Sequence, residues 1–173
     1  MTAITMMPAD RGRWMAIDWG ERRIGLAISD PTGTIASPSG VIERRKGKRA
    51  PIAELVRRAE LLEARGIVMG LPLDGEGEDT ERSIECRRVA AELARRTALP
   101  VSLLDERFTT AAALRAVREM GGSARDRKGD VDALAATVLL QQALRMHALP
   151  TVDPASAAPT DAPPPSAPPS ADA

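Results

Sequence analysis

Trp14 to Gly20 and Arg23 to Ser29 are short, almost continuous apolar runs separated by a turn, the pattern of a strand hairpin. A third run, around Thr34 to Ile42, extends the hairpin into a meander. The period then changes. Pro51 stands at the favoured first turn of a helix, and Ile52, Leu55, Val56, Ala59 and Leu62 recur at helical spacing until Gly66 ends the pattern. Ile67 to Leu73 is continuously apolar, as suits a parallel strand covered on both faces. The polar, Gly-rich loop Asp74 to Asp79 leads into a second helix with Ile84, Cys86, Val89, Ala90 and Leu93 on its buried side. After Pro100, Val101 to Leu104 forms a fifth strand. Thr109 or Thr110 caps a third helix that Gly121-Gly122 ends. Val131 to Met146 reads as a fourth helix, with Val131, Leu134, Ala135, Val138, Leu139 and Leu144 apolar. The expected fold class is α/β: a five-stranded mixed sheet, three antiparallel meander strands plus two parallel ones, flanked by helices.

Composition narrows the folded part. The 173 residues suit one domain with extensions. From Ala148 to Ala173 the chain is almost entirely Ala, Pro, Ser, Thr and Asp, which offers no apolar surface to bury, so residues 148–173 read as a disordered tail. Residues 1–11 read as a flexible leader without the apolar core of a secretory signal, leaving 12–147 as the domain. No run approaches the roughly 20 apolar residues of a membrane span, so no membrane partner is expected and the cytoplasm is the default location.

Formal charge is zero and turns slightly positive once the tail aspartates Asp153, Asp161 and Asp172 are set aside, so local clusters must indicate the partners. A single cysteine, Cys86, excludes an intramolecular disulfide and a multi-cysteine zinc site. His147, the lone histidine, ends the last helix, which disfavours His-based triads and multi-histidine metal sites.

The candidate chemistry is acidic. Asp18 sits on an apolar strand just before the Gly20 turn, where an ionised carboxylate needs a partner, a metal or a ligand. Glu106, with its neighbour Asp105, follows the fifth strand, and Asp132 opens the last helix. Strand ends of an α/β sheet line a crevice, and a helix starting nearby can aim a carboxylate into it. Three converging carboxylates call for hard cations, Mg²⁺ or Mn²⁺, and two such ions about 4 Å apart suit phosphodiester hydrolysis. Successive strand residues face opposite ways, so Asp105 and Glu106 cannot both serve; the longer Glu106 is preferred, with Asp105 bonding a nearby backbone group or Arg. Asp132 is equally readable as a carboxylate answering the helix dipole, and Asp130 is its competitor for the cap or an auxiliary ligand.

Asp18-x-Gly20-x-x-Arg23-Ile24-Gly25-x-Ala27-x-Ser29-Asp30, then Gly70-Leu71-Pro72-Leu73, then Asp105-Glu106-Arg107-Phe108-Thr109-Thr110, then Asp132-Ala133-x-Ala135-Ala136 occur in that order. Together they resemble the YqgF family of RNase H-like nucleases, also called the RuvX or pre-16S rRNA nuclease group. The resemblance implies an RNase H-like fold and a divalent-metal nuclease that trims the 5′ end of the 16S ribosomal RNA precursor. Asp18, Glu106 and Asp132 match the family's catalytic acids, and the implied partner is pre-16S rRNA or a pre-ribosomal particle.

Basic residues fit a nucleic-acid partner. Arg44, Arg45, Lys46, Lys48 and Arg49 form a loop suited to mobile phosphate contacts, and Arg125, Arg127 and Lys128 precede Asp132. Arg23 and Arg107 either contact phosphates or pair with nearby acids. The aromatics are Trp14, Trp19 and Phe108, so recognition would rest on shape and charge, and Trp19 is read as packed against a helix rather than stacked on a nucleotide. Competing readings are a Holliday junction resolvase acting on branched DNA, a non-catalytic ribosome-associated RNA-binding module, and a member of the actin and sugar-kinase group. The last is opposed by the short chain, which has no room for a duplicated domain.

Overall fold

A computed structural model describes residues 3–6, 12–44, 50–108, 128–146 and 148–152, with the backbone path alone at 3–6, 108, 128–132 and 148–151. Seven strands form one sheet: β1 (Ala3–Met6), β2 (Arg13–Trp19), β3 (Arg23–Ser29), β4 (Ala36–Glu43), β5 (Ala64–Leu71), β6 (Val101–Asp105) and β7 (Ala148–Thr151). The helices are α1 (Ile52–Leu61), α2 (Glu81–Thr97) and α3 (Lys128–Arg145), and the spatial strand order is β1-β7-β6-β5-β2-β3-β4. The expected helix from Thr109 or Thr110 to Gly121 lies outside the described residues.

The five expected strands make the body of the sheet. β2, β3 and β4 form the antiparallel meander, with Asp18 opposite Gly25, while β5 runs parallel to both β2 and β6. Two short strands extend it. β1 and β7 pair with each other, and β7 reaches β6 through Ser102 opposite Thr151 and through Val152 N–H donating to the Val101 carbonyl at 2.8 Å. Segments expected to be leader and tail therefore contribute an edge of the sheet. Their pairing joins opposite ends of the chain, and neither segment carries a periodic apolar pattern that would announce it.

Strand alternation splits the core into two layers. Met15, Ile17, Trp19, Ile24, Leu26, Ile67 and Met69 pack against α1 and α2 on one face. Trp14, Ala16, Ala27, Val68 and Leu104 face α3 through Ala136, Leu139, Leu140 and Ala143 on the other. Several boundaries differ from the periodic reading. Pro51 is the N-cap of α1 rather than its first residue, and the helix ends at Leu61. The chain turns there through Glu63 in a left-handed conformation, φ 52°. Gly66 lies inside β5, where a Cβ would come within 2.5 Å of the Trp14 ring. It is a packing glycine, not a helix stop. Ile84 and Leu134, expected on buried faces, are exposed, and Ala136, Leu140 and Ala143 take the buried face of α3.

α2 begins with a reciprocal cap. The Thr80 hydroxyl accepts from Ser83 N–H at 3.1 Å, and the Ser83 hydroxyl accepts from Thr80 N–H at 2.8 Å. α3 is pinned at its other end. Gln141 accepts from Ala36 N–H at 3.0 Å and donates to the Thr34 carbonyl at 2.9 Å, fixing the C-terminal half of the helix where β4 begins.

Candidate active site at the ends of the parallel strands

β2, β5 and β6 are parallel and finish at one edge of the sheet, at Trp19, Leu71 and Asp105. Alternation settles which side chains share a face there. Asp18 and Gly70 fall in the same parity as Ala16 and Val68, whose side chains face α3, and Glu106 opens the short 3-10 turn Glu106–Phe108 that follows β6. Asp18 is 2% exposed and Glu106 4% exposed.

Gly70 is the space between them. β5 separates β2 from β6, so the strands carrying Asp18 and Glu106 lie two strand spacings, roughly 10 Å, apart. A Cβ on Gly70 would lie 1.8 Å from Glu106 Oε1 and 2.9 Å from its Cδ. The Glu106 carboxylate thus lies over β5 itself, one strand nearer to Asp18 than its own backbone. A glycine is needed beneath it, and so is a side chain of glutamate's length. Gly70 stands in the Gly70-Leu71-Pro72-Leu73 motif, and nothing local in that motif signals the space it leaves for Glu106.

Asp105 faces the other way and is engaged locally. Its carboxylate accepts from Arg107 Nε at 3.0 Å, Nη2 at 2.8 Å and the Arg107 backbone N–H at 3.0 Å. The Arg107 guanidinium holds the Asp105 carboxyl below the usual carboxylate range. Arg107 in turn covers Gly77, at φ 93°, where a Cβ would fall 2.8 Å from its Nη1. The loop at Gly77 closes on itself, with Asp74 Oδ1 accepting from the N–H groups of Glu76 and Glu78 at 3.0 and 2.8 Å.

The basic candidates divide. Arg23 is half-buried on β3 and shares the parity of Ala27, hence the face of Asp18. Arg44, expected to be a mobile phosphate contact, is instead fixed. Its Nη1 donates to the Gly20 carbonyl at 2.8 Å, its Nη2 meets Glu85 Oε1 at 2.6 Å, and its guanidinium lies 4.3 Å from the Trp19 ring centroid. A planar cation beside a buried indole and a carboxylate satisfies all three at once, which a local reading of a basic run cannot foresee. Trp19 is 1% exposed and donates its Nε1–H to Glu85 Oε2 at 2.9 Å, so it packs against α2. Arg45, Lys46, Lys48, Arg49, Arg125 and Arg127 lie outside the described residues. Lys128, Asp130 and Asp132 stand on the first turns of α3, where the backbone alone is described.

Among residues with described side chains, no three His, Cys, Asp or Glu side chains gather as a metal set; Asp18 and Glu106 are the two buried acids at this edge. The third expected acid, Asp132, lies outside that group. Cys86 is fully buried, and burial, followed by the negative charges of Glu106 and Glu85, pushes its thiol up to about 12, which leaves it inert.

A family model described as RuvX, Holliday junction resolvase, matches residues 12–146. This chain is a member of the RuvX family. A Koribacter versatilis relative named "Putative pre-16S rRNA nuclease" is 42% identical over 148 residues, covering 86% of this chain and 96% of the relative. A Rickettsia bellii protein of the same name is 39% identical over 130 residues, covering 75% and 84%. The names carried by RuvX relatives are those of nucleases. Among solved structures, Thermus thermophilus RuvC in complex with a Holliday junction substrate aligns with a TM-score of 0.51 at 13% identity, over 80% of this chain and 99% of RuvC. That likeness is one of fold, RNase H-like, and this RuvX chain has that fold. No helix among its described residues is long and apolar enough to cross a membrane.

Proposed function

We propose that this chain is a divalent-metal-dependent nuclease that processes the 5′ end of the 16S rRNA precursor in the cytoplasm, with Asp18, Glu106 and Asp132 as metal ligands. The observation that carries the reading is the glycine bay at Gly70, which lets the buried Glu106 carboxylate lie over β5 toward the buried Asp18. Hard oxygen donors at the ends of β2 and β6, on either side of β5, fit Mg²⁺ or Mn²⁺. The length of α3 supports adding Asp132. Gln141 is pinned at the level of Ala36, which pairs with Ser29, and Ser29 receives the Trp14 N–H. Nine helical residues back from Gln141 rise about 13 Å, and four strand residues on from Trp14 to Asp18 span about 13 Å. These matching lengths support a reading in which the start of α3 and Asp18 reach the same end of the sheet.

One or two ions bound there would neutralise charge on the attacking water and the departing oxygen of a phosphodiester. The chain's own residues do the rest. Asp18 and Glu106 are buried and held by the sheet, so as ligands they would need little reorganisation when metal and substrate arrive. Arg23, on the same face and opposite Glu43 at the end of β4, is the described cation suited to meet a scissile-flanking phosphate. Arg107 serves the loop at Gly77 through Asp105 rather than the phosphate.

The test is a precursor RNA carrying the 16S 5′ leader, incubated with the purified protein and Mn²⁺ or Mg²⁺. Metal-dependent cleavage that Asp18→Asn, Glu106→Gln and Asp132→Asn each abolish is the expected result. Undiminished cleavage by Asp18→Asn would overturn the assignment. The family model's resolvase description supports a second reading, a branched-DNA substrate, so a four-way DNA junction belongs in the same assay. Cleavage of the junction without cleavage of the leader would transfer the function to DNA, and a wild type that binds leader but cuts neither would mark a non-catalytic RNA-binding module.

A further inference from the structure

We propose that Glu85 is a positioning residue for Asp18, acting through Trp19 and Arg44; the inference rests on the reading of Asp18 as a metal ligand. Glu85 is on α2, outside the four ordered sequence motifs, and it uses both carboxylate oxygens. Oε2 accepts the Trp19 indole N–H at 2.9 Å, and Oε1 accepts Arg44 Nη2 at 2.6 Å. Arg44 carries the same tether onward, donating Nη1 to the Gly20 carbonyl at 2.8 Å and stacking 4.3 Å from the Trp19 ring centroid. Its backbone N–H also donates to the Arg22 carbonyl at 2.8 Å, and Gly20 N–H donates to the Arg23 carbonyl at 3.1 Å.

The two residues that follow Asp18 are therefore both held by this one cluster. Adjacent strand side chains point to opposite faces from a shared backbone, so a rotation of Trp19 on the α2 face rotates Asp18 on the α3 face. Asp18 itself pairs with Gly25 of β3, and Ile17 before it pairs with Met69 of β5. Beyond Asp18 the strand is held by β3 on one side only, through Trp19 opposite Ile24 and the Gly20 N–H, because its pairing with β5 stops at Ile17. Glu85 closes that end, and it places Arg44, the residue from which the basic segment departs, at the metal edge. Groups that orient metal ligands from behind typically contribute 10–100-fold in affinity or activity.

Mn²⁺ titration followed by electron paramagnetic resonance, run beside cleavage of the 16S leader, tests this. Glu85→Ala should weaken Mn²⁺ binding about tenfold and lower kcat by a similar factor with KM for RNA nearly unchanged. Glu85→Gln, which keeps one acceptor oxygen, should recover part of both, and Glu81→Ala, which removes a charge from the same helix without touching the tether, should leave Mn²⁺ affinity at the wild-type value. Wild-type Mn²⁺ affinity in folded Glu85→Ala, or an equal loss in Glu81→Ala, would overturn the proposal. If Glu85→Ala does not fold, Glu85→Gln and Arg44→Lys decide: wild-type affinity in both overturns it. A wild type that binds Mn²⁺ through Asp18 yet cuts no RNA would refute the substrate reading alone, because the Mn²⁺ arm still reports on Glu85. A wild type without Mn²⁺ binding would overturn both.

Discussion

Gly70→Ala isolates the geometry on which the site depends. The added methyl would sit 1.8 Å from Glu106 Oε1 and 3.3 Å from Glu106 Cγ, so the obstruction falls on the far end of one flexible side chain and not on backbone. To regain an ordinary contact of about 3.5 Å, the carboxylate must retreat by roughly 1.7 Å. Because Glu106 can swing away, the stability cost should be at the low end of overpacking, about 1 kcal/mol, a shift of a few degrees in Tm. The functional cost should be much larger. A misplacement of about 1 Å can cost 100-fold, equivalent to about 2.7 kcal/mol of barrier. The assay pairs thermal unfolding with Mn²⁺ affinity and single-turnover cleavage of the 16S leader. A folded Gly70→Ala protein with wild-type affinity and rate would show that the Glu106 carboxylate does not need to lie over β5, and the argument for it as a ligand would fall.

Gly66→Ala is the structural counterpart. Its methyl would meet the Trp14 ring at 2.5 Å in a closed core where a rigid indole cannot fold aside, so a loss of about 1–3 kcal/mol is expected in denaturant unfolding. Asp30 gives a pH signature. The Ile35 N–H above all, then the Thr32 hydroxyl and the Thr34 N–H, hold its carboxyl well below the usual range. A depressed folded pKa contributes stability above the unfolded value of about 3.9, and this is lost as pH falls toward the folded value. Acid unfolding of Asp30→Asn should accordingly lack that part of the wild-type pH dependence, and superimposable profiles would refute it. Deleting residues 153–173 should leave Tm unchanged, whereas deletion from Ala148 onward removes β7 and should lower it, as measured by calorimetry.

Local pattern was a good guide wherever burial is decided along one element. The hairpin of β2 and β3, the doubly covered β5 and the helix α2 each announce themselves by the period of their apolar residues. It misled where a residue's neighbour is remote in sequence. Gly66 looked like a helix stop because its reason, the Trp14 ring, belongs to another strand. Arg44 looked like one cation in a solvated run, yet Glu85 and Trp19 claim it from two other elements. Ile84 and Leu134 sat at apolar positions of helices whose rotation about their axes is set by packing, which period alone does not fix.

By itself the sequence determined the α/β order of elements, the acidic candidates and the family resemblance, because strand alternation, helical spacing and ordered motifs are written in consecutive residues. Tertiary structure alone decided that Asp18 and Glu106 share a face and a sheet edge, that Gly70 opens the space between them, and that the chain ends supply two more strands. Those facts concern distances between residues far apart along the chain. Such distances are set by strand pairing and side-chain packing, which no local pattern encodes.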